Sequence, residues 1–195
     1  GQYGKFWASF QNTAWYQADV RENEAMAAKH GFKKVSELKL AVAKKIRDFV
    51  SGGGFLFAMC SATDSYDIAL SADGVDICES MFDGDPADMN ADSKLNYQNT
   101  FAFKDYKLKM NPYEYEYSYI DNTPDTRPIS EQNDVFTLFD FSAKWDVVPT
   151  MLCQNHTKVI KGFYGQTTAF RKQFIKSDVL IMGETKTLGE ARYIH

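Results

Sequence analysis

Residues 52–64 read Gly52-Gly53-Gly54-Phe55-Leu56-Phe57-Ala58-Met59-Cys60-Ser61-Ala62-Thr63-Asp64. The three glycines suit the end of a helix, because glycine takes the left-handed conformation that a C-cap requires. The apolar run at 55–59 is continuous rather than alternating, the pattern of a central parallel strand buried on both faces. Small residues follow, and residues 64–70 look helical. The segment predicts a strand, a tight turn and a helix, with Cys60 at the carboxyl end of the strand.

On the amino-terminal side, residues 11–30 form a polar helical stretch closed by Gly31. A clearer helix follows. Ser36 is a suitable N-cap, and Glu37 complements the positive helix end. Leu38, Val42, Ile46, Phe49 and Val50 fall on one apolar stripe, with Lys39, Lys44, Lys45 and Arg47 largely off it. From about residue 100 the period becomes two. Phe101 and Phe103 alternate with Ala102 and Lys104. Tyr113, Tyr115, Tyr117 and Tyr119 alternate with Glu114, Glu116 and Ser118. That pattern predicts an aromatic face and an acidic, solvated face. Aromatic faces also stack on sugars, so the stripe is open to two readings, sheet core or carbohydrate contact. A further strand is expected over 134–141, and core-strand character returns at 178–183. Residues 80–147 are read as a β-rich insertion in one α/β domain spanning 1–195.

The chain has 195 residues, which at about 150 per domain favours one domain with an insertion. Its formal charge of -4 argues against a nucleic-acid binder, which normally needs a basic surface. No apolar run reaches the length of a membrane span. Cys60, Cys78 and Cys153 form no C-x-x-C pair, and this usage favours reduced thiols and a cytoplasmic setting. Gly1 at the start and strand-like residues 190–195 at the end read as a segment of a longer chain, so an export signal outside it is not excluded.

Cys60 carries the sharpest chemical expectation. A cysteine between a strand end and a helix N-terminus can lose its proton near neutral pH. The Ser61 amide would then serve as an oxyanion donor. The competing reading is a small hydrophobe packed at the strand end.

The residues at 52–64 resemble the "GGGF…H-S-A-T-D" segment of the trehalose-utilisation, or ThuA-like, proteins, within the class I glutamine amidotransferase-like group. Asn155-His156-Thr157 with Ile160-Lys161-Gly162-Phe163 resembles that family's "H-P-…-G-L" segment. The resemblance implies a flavodoxin-like, three-layer α/β core. It also implies a pocket of Ser61, Thr63, Asp64 and His156 around Cys60, which stands where ThuA-like proteins carry histidine. The partner histidine of a class I amidotransferase would fall beyond His195. Stretches 39–49, 60–67, 74–85 and 137–145 also resemble a largely Bacteroidota group of proteins labelled "asparagine synthetase B". The chemistry of that label is not supported. Ser51-Gly52-Gly53-Gly54-Phe55-Leu56 has Phe and Leu where a pyrophosphate loop carries Asp and Ser. The expected activity is hydrolysis or transfer of an amide by a cysteine nucleophile. The alternative is a non-catalytic or carbohydrate-related binding protein using the same pocket. The expected partner is a small molecule, amide or sugar-like, with no cofactor.

Asp83, Asp85, Asp88 and Asp92 form an acidic loop. Counted as an EF-hand from Asp83, the fifth position is Ala87 and the twelfth Lys94, so that motif fails. Asp83 and Asp85 are left as candidate loop ligands for a sugar or cation, against a plain solvated loop, and no metal site is implied. His156 either faces the pocket or bonds backbone in its polar turn.

Overall fold

The structure is a computed structural model that describes residues 3–56, 58, 62–114, 116–121, 135–138, 159–161, 169–176, 183–185 and 190–191. The chain divides into two compact units. The first comprises Gly1–Phe101 with Lys107–Ser118, the second Ala102–Tyr106 with Tyr119–His195.

The first unit is helical. Its elements are α1 (Tyr3–Phe10), α2 (Ala14–Lys29), α3 (Val35–Ser51), α4 (Ala62–Ser71) and two single turns, α5 (Ser80–Asp83) and α6 (Ala91–Lys94). α1 meets the start of α2 through rings: Phe6 lies 4.8 Å from Phe10, and Phe10 lies 5.3 Å from Trp15. α2 ends at Gly31, whose φ of +83° lets the next amide turn back, so Phe32 N–H donates to the Ala27 carbonyl at 3.0 Å. α3 ends the same way. Gly53 has φ +94°, its N–H donates to Val50 O at 2.9 Å, and Gly54 N–H donates to Phe49 O at 2.9 Å.

α3 begins at Val35 with Lys34 as N-cap, two residues before the expected Ser36. The reason is Glu37. Its Oε2 accepts the amides of Lys33 at 2.9 Å and Lys34 at 3.2 Å, the carboxylate half of a capping box. The expected stripe is only partly covered. Val42 and Phe49 are exposed, and the buried residue of α3 is Ala43. Periodicity identifies a helix but does not say which part of its apolar face finds a neighbour.

α3 packs on α4. Tyr66 Oη donates to the Ala43 carbonyl at 3.1 Å, and its ring stacks on Phe101 at 6.0 Å. α4 buries Ile68 and Leu70 together with Asp64, Asp67 and Ser71. Asp67 Oδ1 accepts the Phe101 amide at 2.9 Å. Such internal donors make a buried carboxylate tolerable.

The second unit holds the strands β1 (Val135–Leu138), β2 (Val159–Lys161), β3 (Ala169–Phe170), β4 (Gly183–Thr185) and β5 (Glu190–Ala191). They form a sheet in the order β2-β1-β4-β5-β3, antiparallel at every junction. In the register Phe136 pairs with Ile160 of β2 and with Thr185 of β4. Residues 102–106 join this unit through Phe103, which bridges to Ile175, and Lys104 N–H, which donates to Phe174 O at 2.7 Å. Phe103, Tyr106 and Ile120 are fully buried.

The expected flavodoxin-like three-layer α/β core is therefore corrected. The described residues are mostly helical, with short antiparallel strands confined to the second unit and no parallel pair among them. The predicted central strand fails at its own residues. Phe55, Leu56 and Ala58 take no strand conformation, and Phe55 is 77% exposed. A run buried on both faces needs parallel neighbours in a covered sheet, and an apolar run alone supplies neither.

The tyrosine stripe is corrected too. Glu116 and Ser118 are buried, while Tyr113 and Tyr119 are exposed, which inverts the expected faces. Lys109 explains part of the inversion. Its side chain is buried, with Glu114 at 3.2 Å and Glu116 at 3.7 Å as counter-charges. Leu108 bridges Ser118 antiparallel, fixing that register. In a pleated segment a one-residue shift moves every side chain to the other face. No helix among the described residues is long and apolar enough to cross a membrane.

Candidate functional site

Two places on the helical unit collect chemistry-bearing residues. The first is the amino end of α4. Ala62 is its first residue, and Asp64 sits in its first turn with its side chain buried. A carboxylate there is favoured by the unpaired amides and the helix dipole. Cys60, Ser61, the side chain of Thr63, and His156 lie outside the described residues. Of the residues expected around Cys60, Asp64 is thus the one whose side chain is described.

The second place is the loop between α4 and α6. Lys34, the N-cap of α3, reaches into it. Its Nζ lies 3.0 Å from Asp76 Oδ2 and 3.3 Å from Asp83 Oδ2, and it also bonds Asp85 Oδ1. Asp83 and Asp85, singled out from sequence, are brought together on this one ammonium. The loop closes through Asp76 and Asp88. Asp76 N–H donates to Asp88 Oδ2 at 3.0 Å, and Asp88 N–H donates to the Asp76 carbonyl at 2.8 Å. Asp76 Oδ1 also accepts the Cys78 amide at 2.9 Å. Asp88 Oδ1 is paired with Lys94 at 2.9 Å. α5 fits inside this closure because Gly84 ends it with φ +93°.

Burial differs sharply within the cluster. The Asp83 side chain is 6% exposed and that of Asp85 54%. Asp83 Oδ1 is buried and accepts no hydrogen bond. Burial pushes the Asp83 carboxyl up from its ordinary range, opposed by its bond to Lys34. The Lys34 hydrogen bond holds Asp85 below it. Asp88 is held low by Lys94 and by the Asp76 amide. Lys34 is held above the usual ammonium range, first by Asp85 and then by Asp76. Burial raises the Cys78 thiol, and the charges of Asp83 and Asp76 add to that.

Asp76, Cys78 and Asp83 each offer a ligand atom, and these atoms lie within 4.8 Å of one another. Sequence reading missed Lys34, Asp76 and Cys78. The D-x-C spacing of Asp76 and Cys78, just ahead of Asp83, was the available signal. Lys34 gives no such signal, because 42 residues separate it from Asp76.

No protein-family model, no curated protein and no solved structure matches this chain.

Proposed function

We propose that the protein hydrolyses or transfers an amide of a small molecule, with Cys60 as nucleophile. The observation that carries this reading is the start of α4 at Ala62, two residues after Cys60 in the chain. A ten-residue helix carries unpaired N–H groups and the positive end of a dipole at its amino terminus, which Cys60 precedes by two residues in sequence. Both lower the pKa of a nearby thiol and favour a developing oxyanion. The resemblance of residues 52–64 to the ThuA-like and amidotransferase-like group supports the same assignment.

In this mechanism the Cys60 thiolate attacks the amide carbonyl carbon, forming a C–S bond, while the Ser61 amide steadies the oxyanion. The C–N bond then breaks and the amine departs with a proton delivered by a general acid. Water attacks the thioester and gives a proton back to that group, the C–S bond breaks with its electron pair returning to the Cys60 thiolate, and the carboxylic acid leaves.

Iodoacetamide labelling of Cys60 across pH tests the activation of the thiol. The reading expects labelling at Cys60 well below the ordinary cysteine pKa of about 8.5. Labelling that follows an unshifted thiol would refute it. The second reading, a non-catalytic carbohydrate binder, draws on Tyr113, which is 45% exposed where a core position was expected.

A further inference from the structure

We propose that Asp76, Cys78 and Asp83 form a binding site for a divalent cation of the zinc class, with Lys34 as the built-in competitor for that site. One sulfur and two carboxylates supply ligand atoms within 4.8 Å of one another. A thiolate ligand disfavours calcium and magnesium, which take oxygen, and favours zinc and its softer neighbours.

A cluster of acids alone would not carry this. The independent observation is Asp83. Its side chain is 94% buried beside Asp76 and Cys78, yet its Oδ1 accepts no hydrogen bond. A buried carboxylate oxygen without a donor is costly, and metal coordination is one of the few ways to compensate it. The charge balance points the same way. Asp76, Asp83 and Asp85 surround a single ammonium, that of Lys34, so the cluster keeps an excess of negative charge.

The loop is also built to hold its donors. The paired Asp76–Asp88 hydrogen bonds close it, and the Asp76 carboxylate is further tied to the Cys78 amide. Such bonds orient ligands before a metal arrives. Cation binding would displace the Lys34 ammonium and release the Cys78 thiol proton to solvent. Asp85, which shares that ammonium, is then this loop's candidate for a fourth position. The proposal shares no residue with the Cys60 reading and stands or falls without it.

The test titrates the full chain with Co²⁺ and follows the near-ultraviolet thiolate-to-cobalt charge-transfer band, with Zn²⁺ as competitor. Circular dichroism confirms the fold of each variant. A Cys60→Ser/Cys153→Ser double variant should keep the band, and Cys78→Ser should lose it. Asp83→Asn should weaken Co²⁺ binding by at least about tenfold, the scale on which even supporting residues act. Lys34→Met should tighten it, because the competing cation is gone. No band, a band that survives Cys78→Ser, or unchanged affinity in Asp83→Asn would overturn the site. Unchanged or weaker binding in folded Lys34→Met would overturn the competitor role.

Discussion

Lys34 Nζ lies 3.0 Å from Asp76 Oδ2, joining the start of α3 to a loop 42 residues further along the chain. The same ammonium also holds Asp83 and Asp85. One lysine thus anchors three carboxylates of one loop, two of which cannot face each other cheaply without it.

Lys34→Met should therefore lower the melting temperature and loosen the loop. Surface ion pairs are worth little singly, but a shared cation is not one pair. Salt screens exposed charges, so the stability gap between wild type and Lys34→Met should narrow as salt is raised. A gap that is independent of salt would show that Lys34 acts through packing of its stem.

Acid should act through Asp85 and Asp88. Both carboxyls are held below their ordinary range. Such a group contributes stability that is fully present above its unfolded pKa, about 3.9, and is lost as pH falls through the folded value. Asp83 runs the other way. Its raised pKa means that the folded state takes up a proton first, so acid relieves its buried charge. Stability should fall below about pH 4, and the fall should be shallower in an Asp85→Asn/Asp88→Asn variant. Urea unfolding at a series of pH values measures both slopes; equal slopes would contradict the assignment.

Asp67 is 1% exposed and accepts the Phe101 amide at 2.9 Å. Truncating it leaves the Phe101 amide without its acceptor. Asp67→Ala should cost about 2–3 kcal/mol in urea unfolding, as expected for a hydrogen bond to a charged group. A loss under about 0.5 kcal/mol, the level of a neutral surface change, would show that α4 does not depend on this bond.

Gly53 and Gly54 should respond differently to alanine. Gly53 has φ +94°, where an L side chain is strained, so Gly53→Ala should cost about 1 kcal/mol or more. A Cβ on Gly54 would run into the Phe49 ring. That ring is 62% exposed and free to swing outward, so Gly54→Ala should cost less. Thermal unfolding of the two variants gives the order, and the reverse order would contradict the cap geometry.

Local signals in the sequence are legible where one helix turn decides the outcome. Gly31 and Gly53 both end helices as positive-φ residues, and residues 64–70 are helical within α4. What depends on distant partners was not legible. The run at 55–59 has the composition of a buried strand, but Phe55 is open to solvent. The alternation at 113–119 suggested a buried tyrosine face, but Lys109 takes Glu116 inside instead. Around the candidate sites, Asp83 and Asp85 were found from an acidic run. Lys34, Asp76 and Cys78 needed the fold to bring them beside it.

The central claim, amide chemistry at Cys60, is tested most directly by glutamine hydrolysis in the wild-type protein and in Cys60→Ala. The account predicts measurable ammonia release by the wild type and a loss of at least about a thousandfold in the variant, the scale seen when a nucleophile is removed. Equal rates in the two proteins, with the variant folded, would contradict it.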